Sequence, residues 1–224
     1  STFTGNTAAR YGGGIYLSGG ARAHVVQSDF TGNKANYDDK GGGAIYVTEG
    51  SLTYHTGNVT GNGASYGGGI YAYKSPLTLN SVNFAKNTAT VDGAALYMAG
   101  TTIENPESED AGWDANLQNC TFTENIATGN GGGIYMAEGA RVKLKNMTFT
   151  GNEAANGGAI YATAATLDFN IGTLTGNKAS GYGGAIYIAT DAKAEMNKLT
   201  AEQNNSRSYG GVIYNIGSVN LFNS

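Results

Sequence analysis

The sequence predicts an all-β fold: a right-handed parallel β-helix, or solenoid, of about eight coils, with three short strands in each coil and one inserted lobe. Three observations lead to this prediction. A glycine-rich pentapeptide ending in Ile-Tyr recurs along the chain, a second motif recurs a fixed distance ahead of it, and apolar residues alternate around both. One such repeat cannot bury its apolar face alone, so the repeats are expected to stack.

The pentapeptide Gly-Gly-Ala-Ile-Tyr and its variants set the period. The copies end at Tyr16, Tyr46, Tyr71, Tyr97, Tyr135, Tyr161, Tyr187 and Tyr214. The steps between these tyrosines are 30, 25, 26, 38, 26, 26 and 27 residues. A period in the mid-twenties indicates one coil per repeat, so residues 1–224 are interpreted as a single elongated domain.

The second motif is Phe-x-x-Asn, with Val, Leu or Ala replacing Phe in some copies. Its asparagines are Asn6, Asn33, Asn62, Asn87, Asn125, Asn152 and Asn177, followed by a degenerate copy ending at Asn204. An asparagine at a turn can satisfy neighbouring backbone groups, and stacked copies can pair with the coils above and below. These residues are therefore interpreted as a structural ladder in preference to a binding row.

Strands, not helices, are indicated by the alternation of β-branched and aromatic residues with a period of two. Parallel strands connected in this way are right-handed by default. A spacing of about 4.8 Å per coil predicts a rod on the order of 38 Å long. Alternation also predicts that the aliphatic residue before each tyrosine and the apolar residue after it point inward, so that the tyrosines point outward.

The outward tyrosines are a candidate interaction surface. A row of eight rings, one from each coil, suits stacking on sugars or packing against another protein. The alternative is structural, because tyrosine is a favourable exposed strand residue whose ring can cover the small residue two positions earlier. The residues alone leave both interpretations open.

One coil carries an insertion, residues 101–115, which is predicted to form a lobe at one corner of the rod. Asn105-Pro106-Glu107 suits the start of a helix, with an asparagine cap and proline at the first position. The lobe is a second candidate site, with the residues Glu104, Glu107, Glu109, Asp110, Trp113 and Asp114. Its carboxylates could hold Ca²⁺, but the alternating Asp-x-Asp spacing of a dedicated loop is absent, so neither a metal nor a cofactor is expected.

Composition argues against several classes of protein. Thirteen basic and 17 acidic residues give a net charge of −4 without a basic stripe, so nucleic acid is not an expected partner. No apolar run is long enough to cross a bilayer. The chain starts inside a repeat, at Ser1, so any targeting segment is expected to lie outside this piece or to have been removed.

We do not expect an enzyme. The two histidines, His24 and His55, lack a surrounding set of carboxylates that recurs at matched positions, and Cys120 lies at an inward position, where a small buried side chain is expected. The alternative is a carbohydrate-binding or polysaccharide-degrading β-helix. Two or more carboxylates with a lysine or arginine along one face of the rod would favour that alternative.

The paired tetrapeptides Gly-Gly-Ala-Ile and Phe-x-x-Asn, as in Gly157–Ile160 and Phe149–Asn152, resemble the repeat of chlamydial polymorphic outer-membrane proteins. The pattern is also similar to that of adhesin-like surface proteins of gut bacteria and methanogenic archaea. The resemblance covers the whole chain. It implies a right-handed β-helical passenger region used in adhesion or surface architecture, and it brings no catalytic residues with it.

We therefore expect a non-enzymatic extracellular β-helix at the cell surface, acting as an adhesin passenger, a stalk or a subunit of a filament. The expected partners are other copies of the chain stacked end to end, or adjoining coils of a longer chain, together with a receptor or glycan of a host. The stacking expectation comes from Val219 and Leu221, which continue the inward pattern and would leave an uncapped coil.

Overall fold

The computed structural model describes residues 1–36, 41–101 and 112–223. Within these ranges the chain forms β-strands joined by turns and bends, and it contains no helix. The strands assemble into three parallel sheets that run the length of the rod, and each complete coil contributes to all three. The predicted parallel β-helix is confirmed.

Sheet I consists of the strands that lead up to or carry the first residues of the Phe-x-x-Asn motif, paired from coil to coil. Its strands are β1 (Thr2–Thr4), β4 (Arg22–Thr31), β7 (Ser51–Thr60), β10 (Leu77–Ala85), β13 (Ala115–Gln118), β14 (Thr121–Thr123), β17 (Arg141–Thr150), β20 (Thr166–Thr175), β23 (Lys193–Glu202) and β26 (Ser218–Phe222).

Sheet II consists of two-residue strands that follow the motif asparagines. Its strands are β2 (Thr7–Ala8), β5 (Lys34–Ala35), β8 (Gly63–Ala64), β11 (Thr88–Ala89), β15 (Ile126–Ala127), β18 (Glu153–Ala154), β21 (Lys178–Ala179) and β24 (Asn205–Ser206).

Sheet III consists of the strands that begin at the aliphatic residue of the pentapeptide. Its strands are β3 (Ile15–Ser18), β6 (Ile45–Thr48), β9 (Ile70–Tyr73), β12 (Leu96–Ala99), β16 (Ile134–Ala137), β19 (Ile160–Ala162), β22 (Ile186–Ile188) and β25 (Ile213–Asn215).

The coils stack in register, so that equivalent repeat positions lie directly above one another. Ile160, for example, pairs with Ile134 on one side and with Ile186 on the other. Each repeat position therefore becomes a row along the rod, spaced by about 4.8 Å, the distance between neighbouring strands. A side chain's neighbours are set by its position in the repeat.

The core is a column of aliphatic and aromatic side chains enclosed by the three sheets. Ile160 before the tyrosine and Ala162 after it are fully buried, as are Phe149 and, two residues earlier, Met147. The predicted inward positions are thus confirmed. They form one continuous core cluster from Val25 to Met196.

The corners of the coils use left-handed backbone. The first glycine of each pentapeptide has positive φ, for example +58° at Gly157, and a Cβ atom there would overlap the carbonyl oxygen of Ile160. The long strands of sheet I bend at a residue that is also left-handed, Ile171 in β20 and Asn119 between β13 and β14. The strand turns a corner at this residue, and the pairing with the next coil resumes directly after it, since Lys145 pairs with Asn170 and Met147 with Gly172.

In the sequence, the insertion lies between β12 and β13. Ala115 is already the first residue of β13 and is buried in register with Leu77 and Val142. The predicted helix start at Asn105-Pro106 lies outside the described residues. Within the described ranges, no helix has the length and hydrophobicity needed to cross a membrane.

Candidate functional site

The eight tyrosines of the pentapeptides form one row on the outer side of sheet III, and their rings stack on one another. Neighbouring centroids in the row lie 4.7 to 5.4 Å apart. The pairs from Tyr16 to Tyr161 are nearly parallel, with interplanar angles of 2° to 8°. Stacking at this spacing stabilises each pair by about 0.5–1.5 kcal/mol beyond the burial of area.

Burial within the row is uneven. Tyr46 is 2% exposed and Tyr71 is 5% exposed. The prediction of an exposed row is therefore wrong for these two side chains, although both lie outside the core column, as predicted. Tyr11 stacks against Tyr46 from outside, at 4.7 Å. The faces of the rings in the row are occupied by one another, so the more exposed members of the row present mainly edges and hydroxyl groups to solvent. A sugar that stacks on an aromatic face needs that face free.

Burial also changes the acidity of the row. Desolvation raises the pKa of Tyr46 to about 12, with smaller contributions from Tyr11 and Tyr16. Desolvation likewise raises the pKa of Tyr71, Tyr97 and Tyr135 above the ordinary tyrosine value. The row therefore favours neutral phenols.

The motif asparagines form a chain of hydrogen bonds through the rod. Oδ1 of Asn125 accepts from the backbone N–H of Asn87 at 3.0 Å and from its Nδ2 at 2.9 Å. Nδ2 of Asn125 donates to Oδ1 of Asn152 and to the carbonyl of Phe84. Asn125 is fully buried, and the same pattern recurs from Asn33 to Asn177. These side chains are occupied by the protein itself.

Of the acidic lobe, only Trp113 and Asp114 lie among the described residues; Glu104, Glu107, Glu109 and Asp110 lie outside them. Asp114 is buried, and its Oδ2 accepts from the backbone N–H of Arg141 at 2.8 Å. Its Oδ1 accepts from the hydroxyl of Thr101 at 3.3 Å. Asp114 therefore fastens the base of the insertion to sheet I.

Trp113 lies over the outer face of sheet I. The Cζ atom of Arg141 is 5.0 Å from the centroid of the indole, and Nζ of Lys143 is 5.5 Å from it, both within the range of a cation–π contact. Arg141 is 8% exposed, and its Nε and Nη1 atoms are buried without a hydrogen-bond partner. The indole and the two cations together form a wall that rises above the sheet.

A depression with a volume of about 170 Å³ lies beside this wall. It is bounded by Trp113 and by outward side chains of β20, β23 and β26, which form two rows across three coils. Thr166, Lys193 and Ser218 make one row, and Asp168, Glu195 and Asn220 make the other. We call this depression the Trp113 groove.

The groove continues away from Trp113. A second depression, of about 350 Å³, shares Asp168 and Glu195 with the first and extends to Asn170, Asn197 and Asn223. The side chains of these asparagines are already joined by hydrogen bonds from coil to coil, at 3.2 Å for each pair. The two depressions adjoin along the direction of β20, β23 and β26, and together they give a polar surface that spans three coils.

Charges in the groove are close to balanced. Nζ of Lys143 lies 3.5 Å from Oδ2 of Asp168, and Lys193 and Glu195 point outward from the same strand. Two carboxylates and two lysines therefore occupy one face of the rod, which is the arrangement expected of a carbohydrate-binding or polysaccharide-degrading β-helix. Carboxylates accept hydrogen bonds from hydroxyl groups, lysines donate to them, and an indole packs on the apolar face of a ring.

The sequence reasoning did not single out Asp168, Glu195, Lys143 and Lys193. A signal was present, because Lys143, Asp168 and Glu195 each precede the inward residue of sheet I by one position. Aligning the repeats at that position would have placed them in one row. The position of Trp113 above the row could not be found in this way, since the insertion has no counterpart in other coils.

The other candidate groups remain apart from the groove. His24 and His55 contact each other edge to face, with 5.6 Å between ring centroids. Cys120 is buried, and burial raises the pKa of its thiol to about 11, which keeps it protonated at neutral pH. Among the described residues, no three His, Cys, Asp and Glu side chains gather as metal ligands would. The Ca²⁺ hypothesis concerns the segment outside those residues and stays a prediction.

Comparison with known families agrees with the geometry. The model of the right-handed β-helix region matches residues 1–171, about three quarters of the chain, and the chain belongs to this family. Residues 172–189 match the repeat of the Chlamydia polymorphic membrane proteins. No curated protein and no solved structure matches the chain. The predicted resemblance is thereby confirmed: this is a β-helical protein with a repeat like that of surface-associated polymorphic membrane proteins.

Proposed function

We propose that this chain is a non-enzymatic structural and adhesive element outside the cell, a rigid β-helical rod that presents a contact surface to other molecules. The observation that carries the proposal is the Trp113 groove, an open polar surface with an aromatic wall built on the outer face of sheet I. The match to the polymorphic membrane protein repeat supports a location at the cell surface.

The scaffold beneath the groove suits this role. The buried asparagine chain and the stacked tyrosines repeat the same contacts coil after coil, so bending the rod would strain many equivalent hydrogen bonds at once. A receptor site is most effective when the side chains that form it are held by rigid elements. Sheet I holds Asp168, Lys193 and Glu195 on paired strands, in fixed register.

The groove is a better contact surface than the tyrosine row. The ring faces in that row pack against one another, and Tyr46 and Tyr71 are buried. The groove instead offers hydrogen-bonding groups that reach solvent, such as the exposed side chains of Lys193 and Glu195. Contact through the tyrosine row stays a prediction for its more exposed members, of which Tyr16 is half exposed.

A further coil, from the same polypeptide or from a second copy, is part of the proposal as a partner. Leu221 and Phe222 are 54% and 50% exposed on an end coil, and their strand β26 has one edge paired with β23. Another coil would cover these side chains and pair with the open edge. Electron microscopy tests this partner: short rods support a neighbour within one polypeptide, and fibres with a repeat of about eight coils support stacking of copies.

Adhesion is tested directly by coating microspheres with the chain and measuring their retention under flow on an epithelial monolayer and on immobilised polysaccharides. Microspheres coated with albumin, another acidic protein, serve as the control. The proposal expects selective retention on at least one surface, and antibody labelling of intact source cells. Retention equal to that of albumin on all surfaces would reject the adhesive role.

A second candidate, polysaccharide degradation, is favoured by one observation: Asp168 and Glu195 are register neighbours on one face. Glycosidases use two carboxyl groups, one of which is kept protonated in a shielded site. Here Asp168 is paired with Lys143, and Glu195 is exposed to solvent, which suits binding better than acid catalysis. Release of reducing ends from a polysaccharide by the native chain, lost in Glu195→Gln, would establish this candidate instead.

A further inference from the structure

We infer that Arg141 is the centre of a binding site for the side-chain carboxylate of an acidic protein partner, on the face of sheet I beside Trp113. This inference rests on the proposed function, since it names the kind of partner for the contact surface proposed there. Three observations carry it: a buried guanidinium without a hydrogen-bond acceptor, a row of donors that continues from it, and nearby carboxylates that limit the charge of the ligand.

The unsatisfied guanidinium is the first observation. Arg141 is 8% exposed, and its Nε and Nη1 atoms have no hydrogen-bond partner. Asp114 precedes it by one coil at the same repeat position, but this carboxylate accepts from the backbone N–H of Arg141, and among the described residues no ion pair includes Arg141. A buried charge with unpaired donors costs free energy, which an acceptor bound at the guanidinium would recover.

A row of donors continues from Arg141 across the next three coils. Arg141 pairs in register with Thr166, Thr166 with Lys193, and Lys193 with Ser218. These side chains point outward, because the residue that follows each of the first three is buried in the core. The last three line the first depression, of about 170 Å³. This row contains two cations, two hydroxyl groups and no carboxylate, so it suits an anionic ligand.

Carboxylates beside this row favour a ligand group with a single negative charge. Asp168 and Glu195 line the same depression, and Asp168 is paired with Lys143 at 3.5 Å. A phosphate group, with a charge close to −2, would be repelled by these side chains more strongly than a carboxylate would. A carboxylate also accepts hydrogen bonds on both oxygens, so one group can use Arg141 and Lys193 together. An aspartate or glutamate side chain of another protein fits these conditions.

Trp113 covers the guanidinium in the free chain. The Cζ atom of Arg141 lies 5.0 Å from the centroid of the indole, which is partly exposed and bounds the first depression. A carboxylate reaches the buried N–H groups when the indole shifts from the guanidinium, so that a cation–π contact is exchanged for charge-assisted hydrogen bonds. The methylene groups of an acidic side chain can then pack against the displaced ring. Binding should therefore change the emission of Trp113.

The test uses the full chain, in which Trp113 is the single tryptophan, so that tryptophan emission reports on this site alone. The probes are a short peptide with blocked ends and one glutamate, and the same peptide with glutamine or with phosphoserine in place of the glutamate. We expect a saturable change in emission at millimolar concentrations of the glutamate peptide, weaker binding of the phosphoserine peptide and no binding of the glutamine peptide. In titrations followed by nuclear magnetic resonance, Arg141→Gln should abolish binding, and Lys193→Gln should weaken it by roughly tenfold, as loss of a hydrogen bond to a charged group does.

The controls separate a local effect from a folding defect. Lys198→Gln removes the same charge from an exposed residue of the same strand, outside both depressions, and should bind as the native chain does. Arg141→Lys keeps the charge but not the fork of donors, and should retain part of the affinity. Far-ultraviolet circular dichroism of each variant should match the native spectrum.

The insertion is a competing source of carboxylates. A variant with Glu104→Gln, Glu107→Gln, Glu109→Gln and Asp110→Asn removes four of them. We expect this variant and the native chain to bind the glutamate peptide alike. Binding by the variant alone would assign the acceptor to the insertion and overturn the inference.

Other results would overturn it as well. These are no emission change with the glutamate peptide at millimolar concentration, equal binding of the glutamate and glutamine peptides, tighter binding of the phosphoserine peptide, or equal binding by Lys193→Gln and the native chain. Failure here is distinguishable from failure of the adhesive role. Microspheres that adhere equally well with the native chain and with Arg141→Gln would keep the proposed function and reject this ligand.

Discussion

Gly172 lies directly beneath the ring of Phe169 on β20: a Cβ atom on Gly172 would overlap Cε2 and Cζ of that ring. The same relationship occurs in β7, where a Cβ atom on Gly57 would lie 2.5 Å from Oη of Tyr54. In coils with leucine at the first position, the second holds a larger side chain, as in Leu79 with Val82. A large side chain at the first position is thus combined with glycine at the second, and a smaller one with a larger second residue, so that the filled volume of the core stays similar from coil to coil.

Gly172→Ala tests this exchange. The added methyl group must displace the ring of Phe169, which packs edge to face on Phe149 with centroids 5.9 Å apart. We expect a loss of about 1–3 kcal/mol in the free energy of unfolding, as is typical of an overpacked core, measured by urea denaturation.

A compensated variant provides the control. Combining Phe169→Leu, Gly172→Val and Leu174→Phe reproduces the residues found at Leu79, Val82 and Phe84 in β10. This variant should recover most of the lost stability. A neutral effect of Gly172→Ala alone would show that the ring has room to move.

Asn125→Ala tests the asparagine chain. The change removes the acceptor for the backbone N–H of Asn87 and the donor to the carbonyl of Phe84, and both groups stay in a dry interior. Each unsatisfied group costs about 1–3 kcal/mol, so thermal and urea unfolding should both show a large loss.

Asn6→Ala is the matched control, because Asn6 occupies the same repeat position but is exposed. Its side chain makes one hydrogen bond, from Nδ2 to Oδ1 of Asn33. Loss of one exposed hydrogen bond should cost about 1 kcal/mol or less. Equal losses in the two variants would argue against burial as the cause.

Sequence reasoning predicted the coils, the inward positions and the handedness because these depend on features that every repeat shares. Ile160 and Phe149 are each one of about eight copies, so the pattern is redundant. The pairing of Phe169 with Gly172, like that of Tyr54 with Gly57, occurs where a repeat departs from the commoner pattern. The Trp113 groove combines an insertion with residues of three other coils, and no local pattern predicts that contact. The buried state of Tyr46 was missed because Tyr11, which stacks on it, belongs to the preceding coil, and the alternation within one strand does not predict a contact between coils.

Lys86→Gly should stabilise the rod. Lys86 has φ of +56° at a corner where Gly32, Gly61 and Gly151 stand in other coils. A left-handed residue other than glycine costs roughly 1–2 kcal/mol, and the surface ion pair with Glu124, at 3.7 Å, contributes little in return. We expect a higher midpoint of thermal unfolding, whereas Lys86→Ala, which keeps the strained conformation, should not raise it. A lower midpoint for Lys86→Gly would contradict this account.

Stability should fall at alkaline pH. The pKa of Tyr46 is about 12 in the folded chain, against about 10 for tyrosine in an unfolded chain. Below pH 10 both states are neutral and the stability is fully present; between about pH 10 and 12 the unfolded chain loses its proton first, so the folded state is disfavoured. Urea denaturation at pH 8 and pH 11 measures this loss, and Tyr46→Phe should reduce it. An equal midpoint at both pH values would contradict the burial of the row.

The most direct test of the central claim, that this β-helix makes its contacts through the Trp113 groove, is hydroxyl-radical footprinting of the chain bound to the surface that retains the microspheres. The account predicts that Trp113 loses reactivity on binding, while Tyr16 and Tyr209, both more than half exposed on the free chain, keep theirs. Protection of Tyr16 with no change at Trp113 would contradict the account and place the contact on the tyrosine row.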